Sequence, residues 1–444
     1  MKESGVSPNV ITWNVMISGC IQNADEDEAM DLFQRMEKDG KIKRDTASWN
    51  SLIAGYLHMG QKNKALGIFR QMQSSGFLPN SVTILSVLPV CANLVAGKKV
   101  KEIHGCVVRR NLETELPVAN SFIDTYAKTG LIKYSQTIFD RSSKDIITWN
   151  SLIGGYVLLG YADAALDLFD QMKMFGYKPN RGTFANIIFA YSLAGMVDEG
   201  EKAFFSITEE YRIIPALEHY SAMVDLYGRA GRVADAMKFI EDMPIEPDSS
   251  TWAALLTACR IHGNIGLAIR AGENLLDLEP GNSLIDQFIF QAYALCGKYE
   301  DASKIRKLEK ENASRKPLGQ CWIELKNTVH TFFAGDQSSD ILYSWIQRMR
   351  GKVEGPGTQY GLCIEEEQME EIGGVHSEKL ALAFALIGSP VPKVIRIVKN
   401  LRMCGDCHRT AKYISVTYGC EIYLNDSKCL HYFRNGHCSC KDYW

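Results

Sequence analysis

Apolar residues recur through most of the chain at intervals of three and four positions, the spacing of one face of an α-helix. A hydrophobic segment precedes each stripe, and Gly or Pro residues separate the two. Because such faces are buried only against neighbouring copies, the pattern predicts helical hairpins stacked into an α-solenoid. The stripes are Ala29, Phe33 and Met36; Ala65, Phe69 and Met72; and Ala165, Phe169 and Met172.

The segment before each stripe is itself repeated. It carries Trp-Asn at Trp13, Trp49 and Trp149, and the period is about 35 residues. We expect these tryptophans to pack the repeats rather than to stack on bases. The division predicts a repeat tail at 1–9, seven repeats at 10–45, 46–80, 81–115, 116–145, 146–180, 181–216 and 217–248, and two degenerate hairpins at 249–282 and 283–316.

The pattern changes in the last part of the chain, 317–444, where helical and strand-like segments alternate. An apolar helix is predicted at 380–386, strands at 394–398 and 421–424, and a further helix after Cys404. The segment predicts a small α/β domain. Its candidate chemistry consists of His376, Glu378, Cys404, Cys407, His408, His431, Cys438 and Cys440, and the chain ends on Asp442-Tyr443-Trp444.

Three of these residues have the composition of a catalytic zinc site. His376, Cys404 and Cys407 supply three ligands and leave the fourth tetrahedral position for water. Glu378 stands two residues after the histidine, where a zinc deaminase has its proton shuttle. Because both cysteines lie near a predicted helix start, we expect lowered thiol pKa values there. Met403 precedes the pair where deaminases in general have proline.

Composition narrows the class of protein. The 444 residues are 46% hydrophobic with a net charge of −3, so any RNA binding must rest on specific contacts rather than on bulk attraction to phosphate. The longest apolar run, 380–387, is too short to span a membrane. Six of the 13 cysteines crowd into 404–440, which favours metal ligation in a reducing compartment over disulfides. Cys363, Cys420 and Cys429 are interpreted as thiols rather than ligands.

The repeated Trp-Asn segments, the Cys-x-x-Cys and the terminal tripeptide together resemble plant pentatricopeptide repeat proteins of the PLS class, with extension repeats and a C-terminal DYW deaminase domain. The resemblance covers essentially the whole chain. It implies an α-solenoid that binds single-stranded organellar RNA, together with a zinc-dependent cytidine deaminase. A tetratricopeptide-like, peptide-binding scaffold is the alternative for the hairpins; the recurring polar residues at fixed repeat positions favour RNA.

The resemblance also assigns residues. It implies a second, closed and structural zinc site formed by His408, His431, Cys438 and Cys440, with His437 as a rival for His431. By the family's recognition code the target is 5′-U-C-N-U-C-N-G. The two N positions correspond to repeats 81–115 and 181–216, whose pairs, Leu85 with Glu115 and Ala185 with Ala216, have too little polar capacity to read a base. The base-reading pairs are Asn14 with Asp45 and Asn120 with Asp145 for U, Asn50 with Asn80 and Asn150 with Asn180 for C, and Ser221 with Asp248 for G.

The expected function is site-specific C-to-U editing of RNA in a chloroplast or mitochondrion, with other editing factors as further partners and no membrane association. No transit peptide is apparent at the start, so we expect the chain to lack upstream repeats. One apparent inserted residue between Pro317 and Trp322 departs from the family pattern and puts activity in question. The alternatives are an RNA-binding protein whose DYW domain is inactive or recruits other factors, and RNA cleavage.

Overall fold

A computed structural model describes residues 8–23, 25–38, 42–94, 96–280, 289–290, 292–293, 319–325, 328–336, 339–353, 376–388, 394–426 and 429–443, without the side chains of 324, 328, 347 and 350–353. Nearly all of the predicted hairpin 283–316, Cys363, Pro317 and Trp444 lie outside these residues. The chain divides into two compact units, 1–144 and 145–444.

The first unit consists of stacked helical hairpins. In each hairpin the first helix packs on the first helix of the next, as α3 does on α1 and α5. Trp13 and Trp49 are buried at these contacts. The helices are α1 Val10–Gln22, α2 Glu26–Lys38, α3 Thr46–His58, α4 Lys62–Ser74, α5 Ser81–Asn93, α6 Gly97–Val108, α7 Leu116–Lys128 and α8 Ile132–Arg141, with a 3₁₀ turn at Leu112–Thr114.

The second unit begins with hairpins of the same kind. Helix-to-helix contacts run from α9 to α11, from α11 to α13 and from α13 to α15. Trp149 is buried in this stack. The helices are α9 Ile146–Leu158, α10 Ala162–Met174, α11 Arg181–Ala194, α12 Val197–Glu209, α13 Leu217–Arg229, α14 Val233–Glu241, α15 Ser249–His262 and α16 Ile265–Leu278.

A mixed sheet with helices follows in the same unit. Among the described residues its strand order is β2-β1-β3-β4-β5-β6, and only β3 and β4 pair in parallel. The strands are β1 Gln320–Leu325, β2 Thr328–Phe333, β3 Val394–Lys399, β4 Glu421–Asn425, β5 Leu430–Arg434 and β6 His437–Cys438; the helices are α17 Asp340–Val353, α18 Ser377–Gly388 and α19 Gly405–Thr417.

The sheet core explains how the candidate ligands are positioned. Apolar residues of α18 pack on β1, β2 and β3, and those of α19 pack on β4 and β5. The parallel pair β3–β4 is connected through α19, as a parallel pair requires. The starts of α18 and α19, where His376 and Cys404 stand, therefore come together beside the same sheet.

Candidate functional site

The first candidate metal centre is formed where two helices begin. His376 directly precedes α18, and Cys404 is the N-cap of α19, with its sulfur accepting from the Cys407 backbone N–H at 3.1 Å. Cys404 Sγ lies 3.5 Å from His376 Nδ1. The ligand atoms of His376, Cys404 and Cys407, hereafter the trio, all lie within 4.8 Å of one another. Three donors in this arrangement leave one tetrahedral position for a water.

Burial reverses one expectation about the trio. Cys407 is fully buried, and desolvation raises its thiol pKa well above the ordinary value. The expected lowering at a helix start is wrong for Cys407 in the metal-free site, because burial disfavours the charged thiolate. A bound metal ion supplies the positive charge that a buried thiolate needs.

Glu378 lies on the first turn of α18 and is fully buried. Its Oε1 accepts from Lys399 Nζ at 2.5 Å, and the Lys399 side chain is fully buried as well. Burial opposes the charged form of Lys399, but the neighbouring Glu378 carboxylate raises its pKa. Glu378 and Lys399 are therefore a charged pair held out of water beside the trio.

The second candidate centre comprises His408, His431, Cys438 and Cys440, hereafter the quartet, all buried and with ligand atoms within 4.8 Å of one another. His408 Nε2 lies 3.3 Å from Cys440 Sγ, and His431 Nδ1 lies 3.5 Å from Cys438 Sγ. The two sulfurs are 3.3 Å apart. His437, the rival candidate, is exposed and does not belong to this group.

The histidine–cysteine separations in the two clusters are close to those of a zinc site. Tetrahedral zinc with its usual bonds to sulfur and nitrogen places neighbouring ligand atoms about 3.4–3.8 Å apart. Three histidine–cysteine separations in the two clusters are 3.3–3.5 Å, whereas the Cys438 and Cys440 sulfurs, 3.3 Å apart, are closer than the about 3.8 Å that two Zn–S bonds would give. The thiol pKa of Cys440 is lowered by hydrogen bonding with Cys438 and by its histidine neighbours, which favours the thiolate that binds zinc.

Two carboxylates that the sequence did not single out as functional stand behind the quartet histidines. Asp426 Oδ2 lies 3.3 Å from His431 Nε2, and Asp442 Oδ1 lies 3.7 Å from His408 Nδ1. A carboxylate behind a ligating imidazole fixes its tautomer and ring orientation. Asp426 Oδ2 also accepts from the Met403 N–H, so the same carboxylate contacts the loop before Cys404.

Cys429 lies closer to this chemistry than the sequence indicated. Its sulfur is 3.1 Å from His431 Nε2, and Asp426, Cys429 and His431 form a further cluster of donor atoms. Asp426 Oδ1 accepts the Cys429 N–H at 2.8 Å. Because His431 points its other nitrogen at the quartet and the Asp426 oxygens already accept backbone hydrogens, Cys429 is best placed as a neighbour of the quartet.

The predicted base-reading residues at repeat ends are helix caps. Asp45, Asn80, Asp145, Asn180 and Asp248 are the N-caps of α3, α5, α9, α11 and α15. Each accepts the backbone N–H of the residue three positions on, a Ser or Thr. The short polar side chain therefore has a structural role at each position.

Two of the predicted pairs lie in direct contact. Asn50 Nδ2 donates to Asn80 Oδ1 at 3.1 Å, and Asn150 Nδ2 donates to Asn180 Oδ1 at 2.9 Å. In the third pair the contact is indirect: Ser221 Oγ lies 2.7 Å from Thr251 Oγ1, which bonds Asp248. Neighbouring first helices thus bring the fifth and last repeat positions together.

The other two predicted pairs are Asn14 with Asp45 and Asn120 with Asp145. Asn14 lies on α1, and its Oδ1 is a buried atom with no hydrogen-bond partner among the described residues. Asn120 is buried on α7, in the first unit, whereas Asp145 belongs to the second.

For the described part of the chain, no helix is both long and apolar enough to cross a membrane.

Family profiles account for both parts of the chain. A profile of the DYW family of nucleic acid deaminases matches 356–444. Profiles of the pentatricopeptide repeat match 11–40, 44–93, 144–192 and 218–246. The chain is a pentatricopeptide repeat protein with a C-terminal DYW deaminase domain. That family is zinc-dependent, and the trio and the quartet are two clusters among the described residues that could bind the metal.

Curated relatives are similar over the whole chain. Pentatricopeptide repeat-containing protein At1g19720 of Arabidopsis thaliana is 56% identical over 100% of this chain and 54% of its own length. The chloroplastic proteins CRR2 and DOT4 of the same plant are 39% and 36% identical over 98% of this chain. The chain spans 63% and 47% of their respective lengths.

A solved structure supports the fold. The crystal structure of the pentatricopeptide repeat protein PPR10 in complex with an 18-nt psaJ RNA element matches with a TM-score of 0.58. The match covers 92% of this chain and 54% of that one at 17% identity. At this identity the likeness concerns the fold alone.

Proposed function

We propose that this pentatricopeptide repeat protein edits RNA in a plant organelle, with the repeats selecting the site and the DYW domain converting a cytidine to uridine. The observation that carries the proposal is the buried Glu378 beside a three-ligand cluster. Chloroplastic relatives support an organelle, and the plastid in particular. We place zinc in both clusters, two ions in all.

The trio, Glu378 and Lys399 have different roles in the proposed deamination. Zinc held by the trio would activate a water for attack on C4 of cytosine. Glu378 would take one proton of that water and deliver it to the ring nitrogen N3. It would then carry the second proton, from the hydroxyl group now on C4, to the amino group, which leaves as ammonia. Lys399 holds the carboxylate in place through its 2.5 Å contact. Burial of the pair excludes bulk water from these proton transfers.

The hydrogen bonds made by the N-cap Asn and Asp side chains determine which polar group of a side chain can take part in base selection. Asn180 Oδ1 accepts from the Thr183 backbone N–H and hydroxyl and from Asn150 Nδ2. Since the oxygen is committed to the cap, Asn180 Nδ2 is the group that can meet a base, and a donor suits cytosine N3. Where Asp takes the place of Asn, the second carboxylate oxygen presents an acceptor, which suits the N3–H of uracil.

One observation favours a second function, RNA binding without deamination. Glu378 and Lys399 are sealed from solvent, so the described conformation offers the carboxylate no path to a substrate. A DYW domain fixed in this state would support only RNA processing or recruitment of other editing factors.

Sequencing organellar cDNA from plants lacking the protein separates the two functions. Loss of a C-to-U event downstream of a 5′-U-C-N-U-C-N-G match, restored by the wild-type gene but not by Glu378→Gln, supports editing by this chain. Rescue of editing by Glu378→Gln, or altered transcript ends with all edits intact, supports the RNA-binding alternative.

A further inference from the structure

The terminal tail, residues 439–443, contacts the repeats within the second unit. Arg229, the last residue of α13, donates from Nη1 to the Cys440 carbonyl at 3.1 Å. Its guanidinium carbon lies 4.3 Å from the centre of the Tyr443 ring, a cation–π distance. Lys441 Nζ donates to the Leu193 carbonyl on α11. Two first helices of the solenoid thus bind one tail.

Both sides of this contact are held in place. Arg229 Nε donates to Asp225 Oδ2 at 2.7 Å, and that oxygen also accepts from Ser192 Oγ. On the tail, Asp442 contacts Lys412 Nζ at 2.7 Å, and Lys441 and Asp442 have left-handed backbone conformations. Preorganised partners lose little freedom on docking, which favours one defined arrangement.

Shape matches on the solenoid side at two glycines. A Cβ on Gly160, which follows α9, would lie 2.8 Å from the Ser439 carbonyl oxygen. A Cβ on Gly228 would lie 2.5 Å from Tyr443 Oη. The tail therefore approaches the repeat backbone more closely than any side chain would allow.

The contact lies on the proposed base-reading face. Ser221, Asp225 and Arg229 stand at i, i+4 and i+8 of α13, so they share one helix face. Eight residues of helix span about 12 Å. Resting on the proposed editing function, we propose that Arg229 and Tyr443 seat the deaminase domain on the base-reading face, and that this seating determines which nucleotide of the bound RNA reaches Glu378.

The test uses the full chain with a synthetic RNA that carries the predicted target followed by consecutive cytidines. The variants are Arg229→Ala, Tyr443→Ala and their combination. Arg232→Ala is the matched control, because Arg232 pairs with Asp235 and Glu201 on the same solenoid. Tyr443→Phe is a second control, since Tyr443 Oη has no hydrogen-bond partner among the described residues. Deamination at each cytidine, RNA affinity and zinc content are measured.

We expect the preference for one cytidine over its neighbours to fall on the order of tenfold in Arg229→Ala and in Tyr443→Ala, because a displaced site loses orientation. The double variant should be no worse than either single one, and zinc content and both controls should match wild type. An unchanged preference overturns the proposal. So does loss of zinc in Tyr443→Ala, or weakened RNA binding in Arg229→Ala alone, which would make Arg229 an RNA contact.

Hydrogen exchange tests the contact between the terminal tail and the repeats without requiring deaminase activity. Amides of residues 439–443 should exchange faster in Arg229→Ala than in wild type or Arg232→Ala. Unchanged exchange there overturns the seating. If the wild-type chain deaminates no cytidine, the proposed function and the proposed selection of the nucleotide are both overturned. The exchange measurement still tests the contact between the terminal tail and the repeats.

Discussion

Lys399 Nζ lies 2.5 Å from Glu378 Oε1, and neither side chain is exposed to solvent. Removing one partner of a buried charge pair leaves the other uncompensated and costs about 3–5 kcal/mol, whereas replacing both with apolar residues is often neutral. The stability of the DYW domain is therefore tied to the proposed proton shuttle.

Glu378→Gln should abolish deamination, by at least about 100-fold, because an amide cannot shuttle the proton. Its oxygen can still accept from Lys399, so zinc content and RNA affinity should match wild type. Near-wild-type editing by this variant would remove Glu378 from its role, and loss of zinc would make it a ligand.

Glu378→Ala and Lys399→Met should each lower the free energy of unfolding by about 3 kcal/mol, measured by denaturant titration. The combined variant Glu378→Leu/Lys399→Met should recover most of that loss while staying inactive. If the double variant is as unstable as the sum of the single ones, the two residues are not a coupled pair.

Zinc content tests the two clusters directly. The purified chain should contain two zinc ions per molecule by elemental analysis, since three and four donors form separate groups. His431→Ala and Cys438→Ala should unfold the DYW domain, because the binding energy of structural zinc contributes directly to folding. His437→Ala is the matched control: an exposed residue outside both clusters, it should keep both ions and the fold. One ion or none in the wild-type chain contradicts this assignment.

Asp426→Asn should weaken zinc binding at the quartet about 10–100-fold. Burial alone would raise the pKa of Asp426, but hydrogen bonding with His431 and with the backbone N–H groups of Cys429 and Met403 lowers this pKa to about 2. An amide has one acceptor oxygen and would turn its NH₂ toward one of these donors. Chelator competition measures the effect.

Asp442→Asn is the comparison for this prediction. The Asp442 side chain is 47% exposed and lies 3.7 Å from His408, so its substitution should cost less than about threefold in zinc affinity. Equal losses in the two variants would show that burial of the carboxylate behind the histidine does not matter.

The periodic parts of this fold could be read from the sequence. Helix α3 begins at Thr46, the first residue of a predicted repeat, and strand β4 begins at Glu421 as predicted. Local signals suffice there, since caps, apolar stripes and ligand spacing lie within a few residues of one another. The trio and the quartet were likewise proposed from short motifs and the family resemblance.

Roles for Lys399 and Asp426 were not predicted from the sequence, because their partners are distant along the chain. One local signal existed for Lys399: in β3 it shares the inward face with Ile395 and Ile397, where a lysine needs a buried partner. Asp426 directly follows β4, and only the tertiary fold brings it to Met403. The contact of Arg229 with the terminal tail joins two domains, and no local pattern contains it.

The Asn150–Asn180 pair gives the sharpest test of base reading. Asn180→Asp should retain the cap of α11, since Asp145 caps α9 with the same geometry. The substitution replaces a donor with an acceptor at the point where a base would be met, so preference at the fifth target position should shift from C toward U. One net hydrogen bond corresponds to about 1 kcal/mol, or about fivefold in relative Kd. Asn264→Asp, an equivalent cap on the second helix of a hairpin, is the control for charge and should leave preference unchanged. Binding measurements on two RNAs that differ only at this base decide the matter, and an unaltered preference in Asn180→Asp would mean that this pair does not read the base.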